Sequence, residues 1–342
     1  MSSTATIADI AARAGVGTAT VDRVLNKRPG VNAATVQRVM QVMAAIGAPP
    51  QRGRPRRDSN FRFAFVLPAD ETPFLDQVER QIAQSASDFR HQHITEVTYR
   101  LDASDGTRFA AGLSQLADCE GVALMAPDLP PVKLAINELV RSGIHVVTLF
   151  SDVAGSMRET HVGADNRAAG RTAGLLLARM AGSGDTLLLT SQATRLSCEI
   201  DRRIGFSQVL EERFPALRMQ RLQELPADDD GAAAALLRSF ENDDIDPARL
   251  AGLYNVGSAS VGVARAVASL GLARTPAVAA HDLCDAHRAL LTTGEFAYVL
   301  HQDIHYCILT AARVLRALCE NLRGAFSVVQ PRVEILTAEN LH

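Results

Sequence analysis

The chain has 342 residues, 47% of them hydrophobic and 21% charged, which suits two or three ordinary globular domains. The longest apolar runs fall short of the roughly 20 residues that span a bilayer, and residues 1–17 lack the apolar segment of a secretion signal. Five scattered cysteines argue against a disulfide framework. We therefore expect a cytoplasmic protein. The net charge of −3 conceals an asymmetry, because residues 1–57 carry +7 and the remainder −10. A basic head on an acidic body favours a polyanion as the partner of the head, although a merely solvated basic end has the same charge.

The first 48 residues have the pattern of three short helices. Thr6 and Asp9 have the spacing of a capping box, so a first helix begins after Thr6 and ends at Gly15. A second helix is predicted from Thr18 to Asn26, and Asn32 can cap a third. Apolar residues expected to face inward recur at helical spacing: Ile7, Ile10, Ala11, Ala14, Val21, Val24, Leu25, Val36, Val39, Met40, Met43 and Ile46.

Two short helices joined by a tight glycine turn predict a helix-turn-helix unit, whose second helix enters the major groove of DNA. Its outward positions are Thr18, Ala19, Asp22 and Arg23. Arg23 can donate two hydrogen bonds to guanine, and Ala19 can contact a thymine methyl group. The segment from Gly15 also begins like a dinucleotide-binding fingerprint, but that motif must follow a strand, and here a helix pattern precedes it.

The run from Thr6 to Asn26 resembles the N-terminal signature of the LacI/GalR (lactose-repressor) family. The resemblance implies that Thr18 and Ala19 select the operator, that Arg23 reads the half-site, and that Thr20 and Asn26 lie near the DNA backbone. We add Thr6, at the start of the first helix, to the predicted DNA contacts. The family usually has Ser where this chain has Gly17 and Asp22. Because phosphate repels a carboxylate, we expect Asp22 to pair with Arg23 or Arg28, or to lie slightly off the backbone.

Residues 49–60 form a predicted linker, rich in proline and arginine and containing Gly53. In the family this stretch forms a hinge helix that wedges a leucine into the minor groove, but the leucine is missing here. Two interpretations stay open. Arg52 and Arg54 lie along a narrow minor groove as an extended basic arm, or the segment is a flexible cationic tether.

From Phe61 onward, short apolar strands alternate with amphipathic helices such as Asp76–Phe89, Arg167–Ala181 and Asp303–Asn321. The predicted strands are Phe61–Leu67, Thr95–Arg100, Gly121–Ala126, His145–Phe150, Thr186–Thr190, Arg218–Glu224, Leu250–Asn255, Ala277–His281, Ala297–His301 and Arg332–Leu336. This α/β alternation predicts parallel sheets covered on both faces, and ten strands favour two doubly wound lobes. A ligand is then expected between the lobes, at the carboxyl ends of the strands.

This half resembles the type I periplasmic-binding-protein fold of the same family, in segments that begin at Val162, Arg202, His281 and Gln302. The resemblance implies a head at 1–48, the linker at 49–60 and an effector-binding and dimerisation domain at 61–342. Within that domain it places the N-lobe at about 61–161 and 292–325, and the C-lobe at about 162–291 and 326–342.

The resemblance also implies effector-binding residues. Thr72 and Phe74 match the loop after the first strand, Asn255 matches the family's asparagine, and Asp282 and Gln302 match acidic and amide positions at strand ends. Phe150 and Ser151 stand where an Asp-Arg pair often holds sugar hydroxyls, with Asp152 as a substitute. Arg202 is a weak stand-in for the family's arginine near Ile200, and Tyr298 is a further aromatic candidate. Asp165 and Asn166 are interpreted as a helix cap.

Two histidine-containing segments, His281–His287 and His301–His305, fall short of metal-site spacing, and recognisable catalytic and cofactor motifs are missing. We therefore predict no enzyme, metal or cofactor. The sequence predicts a repressor of carbohydrate or polyol genes that binds a palindromic double-stranded operator as a homodimer, possibly a tetramer, under control of a monosaccharide or polyol. The alternatives are a periplasmic-type sugar-binding protein without a DNA role and a regulator that responds to a purine or nucleoside.

Overall fold

The computed structural model describes residues 6–25, 30–45, 60–182, 185–193, 195–222, 224–242, 245–322 and 328–341. The described head contains α1 (Ile7–Ala14), α2 (Thr18–Leu25) and α3 (Ala33–Ala45). The capping box is present, because the Thr6 hydroxyl accepts from the Asp9 N–H and the Asp9 carboxylate accepts from the Thr6 N–H. Gly15, at φ 65°, ends α1 in the left-handed conformation that glycine adopts without strain.

The head core matches most of the predicted inward residues, including Ile10, Val21, Val39 and Met43. Ile7 and Met40 do not join this core and are 37% and 51% exposed. Val39 and Met43 lie four residues apart on one face of α3, and Met40 is rotated about 100° away from Val39. Ile46 lies outside the described residues.

The N-lobe is built on a parallel sheet whose described strands run in the order β2-β1-β3-β4-β5. The strands are β1 (Phe61–Pro68), β2 (Ile94–Leu101), β3 (Gly121–Leu124), β4 (His145–Leu149) and β5 (Thr160–Val162). The helices between them are α4 (Pro73–Gln84), α5 (Ala86–His91), α6 (Gly106–Leu113) and α7 (Pro130–Arg141).

Two predictions for this lobe were wrong. β5 was missed because three residues at a sheet edge give no apolar run. The single predicted helix Asp76–Phe89 is two helices, α4 and α5, separated at Ser85. The buried Ser85 hydroxyl donates to the Gln81 carbonyl at 2.9 Å, and such back-bonding bends helices.

The C-lobe sheet has the described strand order β11-β10-β9-β8-β6-β7. Its strands are β6 (Thr186–Thr190), β7 (Arg218–Leu222), β8 (Leu250–Asn255), β9 (Ala277–His281), β10 (Tyr298–Gln302) and β11 (Val333–Leu336). Its helices are α8 (Asn166–Met180), α9 (Ser197–Arg213), α10 (Asp229–Asn242), α11 (Ser260–Ser269) and α12 (Asp285–Thr292). The sheet is parallel, as predicted, except at one edge, where β11 runs antiparallel to β10.

Each sheet is buried on both faces, as the apolar strands predict. In the C-lobe, Phe206 of α9 and Leu177 of α8 pack on one face, and Leu236 of α10 and Val263 of α11 pack on the other. In the N-lobe, α6 and α7 cover one face, and α4, α5 and α13 (Ile304–Cys319) cover the other. α13 therefore returns the chain to the N-lobe after β10.

The chain crosses between the lobes at residues 163–165, at Asp303, and between Val329, which contacts the N-lobe, and the start of β11 at Val333. The return to the N-lobe therefore differs from the boundary near residue 292 that the sequence suggested. β10 pairs with β9 and β11, so residues 292–302 belong to the C-lobe. A short apolar strand carries no sign of which of two sheets it joins.

Glycines bring α8 and α9 unusually close. A Cβ atom on Gly170 would lie 1.9 Å from the carbonyl oxygen of Arg202, and one on Gly205 would lie 2.1 Å from that of Arg167. The two helix backbones are thus in direct contact, which glycine alone permits. This contact places the side chain of Arg202 beside Asn166, at the start of α8.

Candidate DNA-binding head and ligand cavity

The outward face of α2 carries the side chains predicted to read DNA. Thr18, Ala19 and Arg23 are exposed, and Thr20 and Asp22 are half-buried. α2 begins where the N–H groups of Thr20 and Val21 donate to the Gly17 carbonyl, at 2.9 and 3.1 Å. Thr6 is also exposed at the start of α1.

Three predicted DNA contacts, Asn26, Arg52 and Arg54, lie outside the described residues, as does Arg28, a suggested partner of Asp22. The described head therefore supplies a short helix with an outward polar face, held on a small apolar core. This is the arrangement that a recognition helix needs.

A cavity of about 530 Å³ lies between the lobes. Its walls come from the carboxyl ends of parallel strands in both sheets, as predicted. The N-lobe contributes the loop after β1, with Thr72 and Phe74, together with Phe150 after β4. The C-lobe contributes the loops after β6, β7, β8 and β9, and Gln302 at the end of β10. The volume suits a small-molecule ligand.

A buried hydrogen-bond network forms the floor of this cavity. The Asp282 carboxylate accepts from the Arg202 guanidinium at 3.2 Å and from the Gln302 amide at 3.1 Å. Arg202 also donates to the Asn166 side chain at 2.8 Å. Burial alone would lower the pKa of Arg202, but the adjacent Asp282 charge raises it above its ordinary value, so the guanidinium stays charged.

The floor network also joins the crossovers. Asn166, just after the first crossover, donates to the Phe150 carbonyl of the N-lobe at 3.3 Å. Gln302, just before the second crossover, accepts from the Ala164 N–H at 3.4 Å. Asp165 caps α8 by accepting from the Ala168 N–H at 2.8 Å, which confirms the helix-cap interpretation. A ligand that contacts Asp282 therefore contacts a network attached to two of the three crossovers.

Three of the six described non-glycine residues with a positive φ lie in the wall of the same cavity. Phe150, Ala259 and Asp282 adopt left-handed backbone conformations, with φ of 57°, 59° and 59°, and all three line the cavity. Asp tolerates this conformation, whereas an aromatic or alanine side chain is strained by it. Such strain often marks a binding site, since the surrounding structure must hold it.

Two histidines in the cavity wall are held by hydrogen bonds. The His287 Nδ1–H donates to the Asp282 carbonyl at 2.6 Å, and its Nε2 accepts from the Ser260 hydroxyl at 2.8 Å. His281 accepts from the Tyr254 hydroxyl. Burial lowers the pKa of both histidines, so both are neutral near pH 7.

Three predicted effector contacts lie outside the cavity wall: Ser151, Asp152 and Asn255. The Asp152 carboxylate pairs with Arg158 and accepts from the Thr148 hydroxyl, so it does not replace the family's sugar clamp. Asn255 accepts from Thr190 at 3.0 Å and donates to the Ser258 carbonyl at 3.0 Å, which shapes the loop after β8.

Of the remaining predicted effector contacts, most lie in the cavity wall and one aromatic candidate does not. Thr72, Phe74, Phe150, Arg202, Asp282 and Gln302 lie in the cavity wall. The aromatic candidate Tyr298 lies in the C-lobe core and donates to the Ala173 carbonyl at 2.8 Å. Ser151 faces the C-lobe residue Ser197, with 3.1 Å between the two hydroxyl oxygens.

The start of α9 contacts the N-lobe directly. Its Ser197 hydroxyl donates to the Asp152 carbonyl at 2.7 Å, and the Asp128 N–H donates to the Arg195 carbonyl at 3.0 Å. Cys198 packs into the N-lobe core cluster. These contacts close one side of the cavity.

Sequence reasoning missed the acidic residues of the cavity wall: Asp70, Glu71, Glu199, Asp228 and Asp229. The first two follow β1, and Asp228 and Asp229 follow β7. The rule that ligands contact the carboxyl ends of parallel strands would have found these four.

Two protein families match this chain. Residues 63–323 match the periplasmic binding protein domain, and residues 6–51 match the bacterial regulatory proteins of the lacI family. The chain belongs to the lacI family of regulators. No curated protein matches it.

Solved structures share the fold of this lacI-family regulator at low identity. The glucose-galactose binding protein GanP from Geobacillus stearothermophilus is 17% identical, with a TM-score of 0.72, over 83% of this chain and 99% of its own. A solute-binding protein from Burkholderia graminis, in complex with D-arabinose, is 17% identical with a TM-score of 0.72 over 84% and 98%. A Bacteroides fragilis protein named as a LacI transcriptional regulator is 16% identical with a TM-score of 0.70 over 82% and 98%.

The family is one of regulators and not of enzymes, as predicted. Its helix-turn-helix head excludes the alternative of a transport protein without a DNA role. Within the described ranges, His, Cys, Asp and Glu residues do not gather in threes around a possible metal position. Likewise, the described helices are too short or too polar to cross a membrane.

Proposed function

We propose that this regulator is a cytoplasmic repressor of carbohydrate or polyol genes that binds a pseudo-palindromic operator as a homodimer. The observation that carries the proposal is a lacI-family head on a two-lobed body whose cavity floor is hydrogen-bonded at two of the three inter-lobe crossovers. Each head reads one half-site, since operator symmetry mirrors protein symmetry. In this proposal the head spans 1–48 and the linker 49–60, and Arg52 and Arg54 either follow the minor groove or belong to a flexible cationic tether.

The cavity chemistry supports a hydroxyl-rich effector. Each Asp282 carboxylate oxygen accepts one protein hydrogen bond and has a further lone pair for a ligand hydroxyl. Phe74 and Phe150 form an edge-to-face pair with ring centroids 5.4 Å apart, which provides an apolar surface for a sugar face. The chain has no Trp, so a small sugar or polyol fits better than an oligosaccharide. The D-arabinose held by the Burkholderia graminis protein agrees with this class.

Ligand binding couples to DNA binding through the crossovers. A ligand held by both lobes favours their closed arrangement and changes the spacing of the two heads. The coupling is reciprocal and amounts to about 1–3 kcal/mol in typical cases. A purine or nucleoside would fill the same space with ring stacking, so nucleosides belong in the ligand screen.

Fluorescence anisotropy on labelled operator variants tests the head. Arg23→Ala should weaken binding by about 1–3 kcal/mol and relax discrimination at one base pair per half-site. Arg38→Ala, which removes the same charge from exposed α3, is the control and should weaken all operator variants equally. Unchanged selectivity in the Arg23 variant would refute the assignment of α2 as the recognition helix, and equal affinity for a single half-site and a palindrome would refute the dimer.

A further inference from the structure

Four carboxylates stand at the opening of the cavity, two from each lobe. Asp70 and Glu71 follow β1 in the N-lobe, and Asp228 and Asp229 follow β7 in the C-lobe. Asp70, Glu71 and Asp228 are exposed, and Asp229 is half-buried. The existence of a ligand site rests on the enclosed volume and its buried polar floor, and these carboxylates bear on the charge of the ligand.

Within the described residues, none of the four forms an ion pair. Asp228 and Asp229 accept backbone N–H groups, from Gly231 and Gly262, both at 2.7 Å. Their neighbour Asp230, which faces away from the cavity, pairs with Arg265 at 2.6 Å.

In the N-lobe, too, nearby acidic residues outside the cavity are paired with arginine. Asp76 and Glu79, one turn or more after Asp70 and Glu71, both pair with Arg100, at 3.1 and 2.8 Å. Within its described part, the chain thus pairs acidic residues on either side of the opening with arginine. It leaves Asp70, Glu71 and Asp228 without an ion pair, while the charge of Asp229 acts on the nearby Arg265.

The interior of the cavity does not compensate this charge. Among its described wall residues, Arg202 is the sole Lys or Arg, and it is buried against Asp282 and Asn166. His281 and His287 are neutral near pH 7 because burial lowers the pKa of each. The described wall therefore holds six carboxylates against one guanidinium.

A cleft lined by one sign of charge focuses the field of that charge on its contents. Phosphorylated sugars and sugar acids are therefore disfavoured. A neutral sugar satisfies the floor but leaves like charges from two lobes facing one opening. A ligand with a protonated amine satisfies both regions, because an ammonium group donates three hydrogen bonds and neutralises carboxylates from either lobe.

We infer that the effector is an amine-bearing carbohydrate or polyol. Its ammonium group lies at the opening between Asp70 and Glu71 of the N-lobe and Asp228 and Asp229 of the C-lobe, and its hydroxyls contact Asp282 and Gln302. This inference rests on the proposed function and specifies the effector of the same site. The ammonium group would also favour closure of the lobes, because closure without a bound cation brings the carboxylates of the two lobes closer together.

Matched ligand pairs test the charge directly on the full chain. The pairs are D-glucose and D-glucosamine, D-galactose and D-galactosamine, and D-sorbitol and 1-amino-1-deoxy-D-sorbitol, with D-glucose 6-phosphate as the anionic member. Thermal shift ranks the panel at pH 6.5, and calorimetry measures Kd for the best pair. The aminated member of that pair should bind about tenfold more tightly than its neutral twin, and the phosphate should not bind. High salt should weaken the aminated ligand alone, because salt screens exposed charges.

A charge-neutralised variant ties the preference to the opening. The triple variant Asp70→Asn, Glu71→Gln, Asp228→Asn should lose the roughly tenfold preference and keep the Kd of the neutral twin within about twofold. Asn still caps α10, so the fold is retained. The control Asp230→Asn makes the same change one or two residues away, outside the cavity, and should keep the preference.

Three results would overturn the inference: neutral twins that bind as well as the amines, an absence of any thermal shift from the amines, or a triple variant that retains the preference. A neutral sugar that binds best and alters operator affinity would leave the proposed function standing. Failure to bind any operator in the anisotropy assay would instead remove the proposed function.

Discussion

Replacing Asp282 by alanine tests the buried ion pair at the cavity floor. The Asp282 and Arg202 side chains are 8% and 7% exposed, and their charged atoms lie 3.2 Å apart. Removing the carboxylate leaves a buried guanidinium without its counter-charge and takes an acceptor from the Gln302 amide. Losing one partner of such a pair costs about 3–5 kcal/mol. We expect the free energy of unfolding to fall by that amount.

A second substitution distinguishes the cost of an unpaired buried charge from other effects of Asp282→Ala on stability. Adding Arg202→Met removes the uncompensated guanidinium, and apolar replacement of a whole buried pair is often close to neutral. The double variant should therefore recover about half or more of the loss in the single variant. Asp230→Ala, which breaks an exposed pair with Arg265, is the control and should change stability by less than about 0.5 kcal/mol.

Urea unfolding followed by far-ultraviolet circular dichroism measures these differences, and anisotropy on operator DNA measures the head separately. Asp282→Ala should abolish the response of DNA binding to the effector and leave DNA binding itself intact. The single variants are Asp282→Ala and Arg202→Met. If the double variant loses as much free energy of unfolding as these two together, the idea that Arg202 depends on Asp282 is refuted. A ligand that stabilises wild type and Asp282→Ala equally would place Asp282 outside the binding site.

Further predictions concern packing, pH and salt. Gly170→Ala should destabilise the C-lobe by several kcal/mol in urea unfolding, because its Cβ would lie 1.9 Å from the Arg202 carbonyl oxygen, whereas Gly17→Ala meets open space and should be nearly neutral. Burial lowers the pKa of His281 and His287 below the ordinary 6.5, so as the pH falls these histidines are protonated in the unfolded chain before they are protonated in the folded one. The free energy of unfolding should therefore decrease below about pH 6.5, and His287→Gln should make that decrease smaller. A fourfold Arg→Gln variant of the linker (Arg52, Arg54, Arg56, Arg57) should reduce the slope of log K against log salt by about 0.9 for each DNA phosphate that the arginines neutralise; an unchanged slope would favour the flexible tether.

The head was the most predictable part of the molecule. Its capping box, glycine turn and apolar spacing are all local features, and the structure contains each of them. The floor residues Asp282 and Gln302 were also named from sequence, because the resemblance to the lacI family implies acidic and amide positions there, and both lie in the cavity wall.

Non-local features could not be predicted in this way. The assignment of β10 to the C-lobe depends on pairing with β9 and β11, which a single strand does not encode. Asn255 and Asp152 have the residue types of ligand contacts, but partners distant in sequence or on nearby loops occupy their side chains. The acidic opening differs from these cases, because each of its members follows a strand and the strand-end rule could have found it. The two pairs are separated by more than 150 residues, so the sequence does not show them as one group.

The side chains of the cavity floor are hydrogen-bonded to one another, and this has a consequence for how the ligand specificity can change. The floor side chains satisfy one another, so the network at the crossovers forms without a ligand: Arg202, Asn166, Asp282 and Gln302. The residues that vary the chemistry of recognition lie on separate loops after β1, β7 and β8. Under the proposed function, substitutions in these loops can therefore change the effector while the hydrogen bonds at the crossovers are retained.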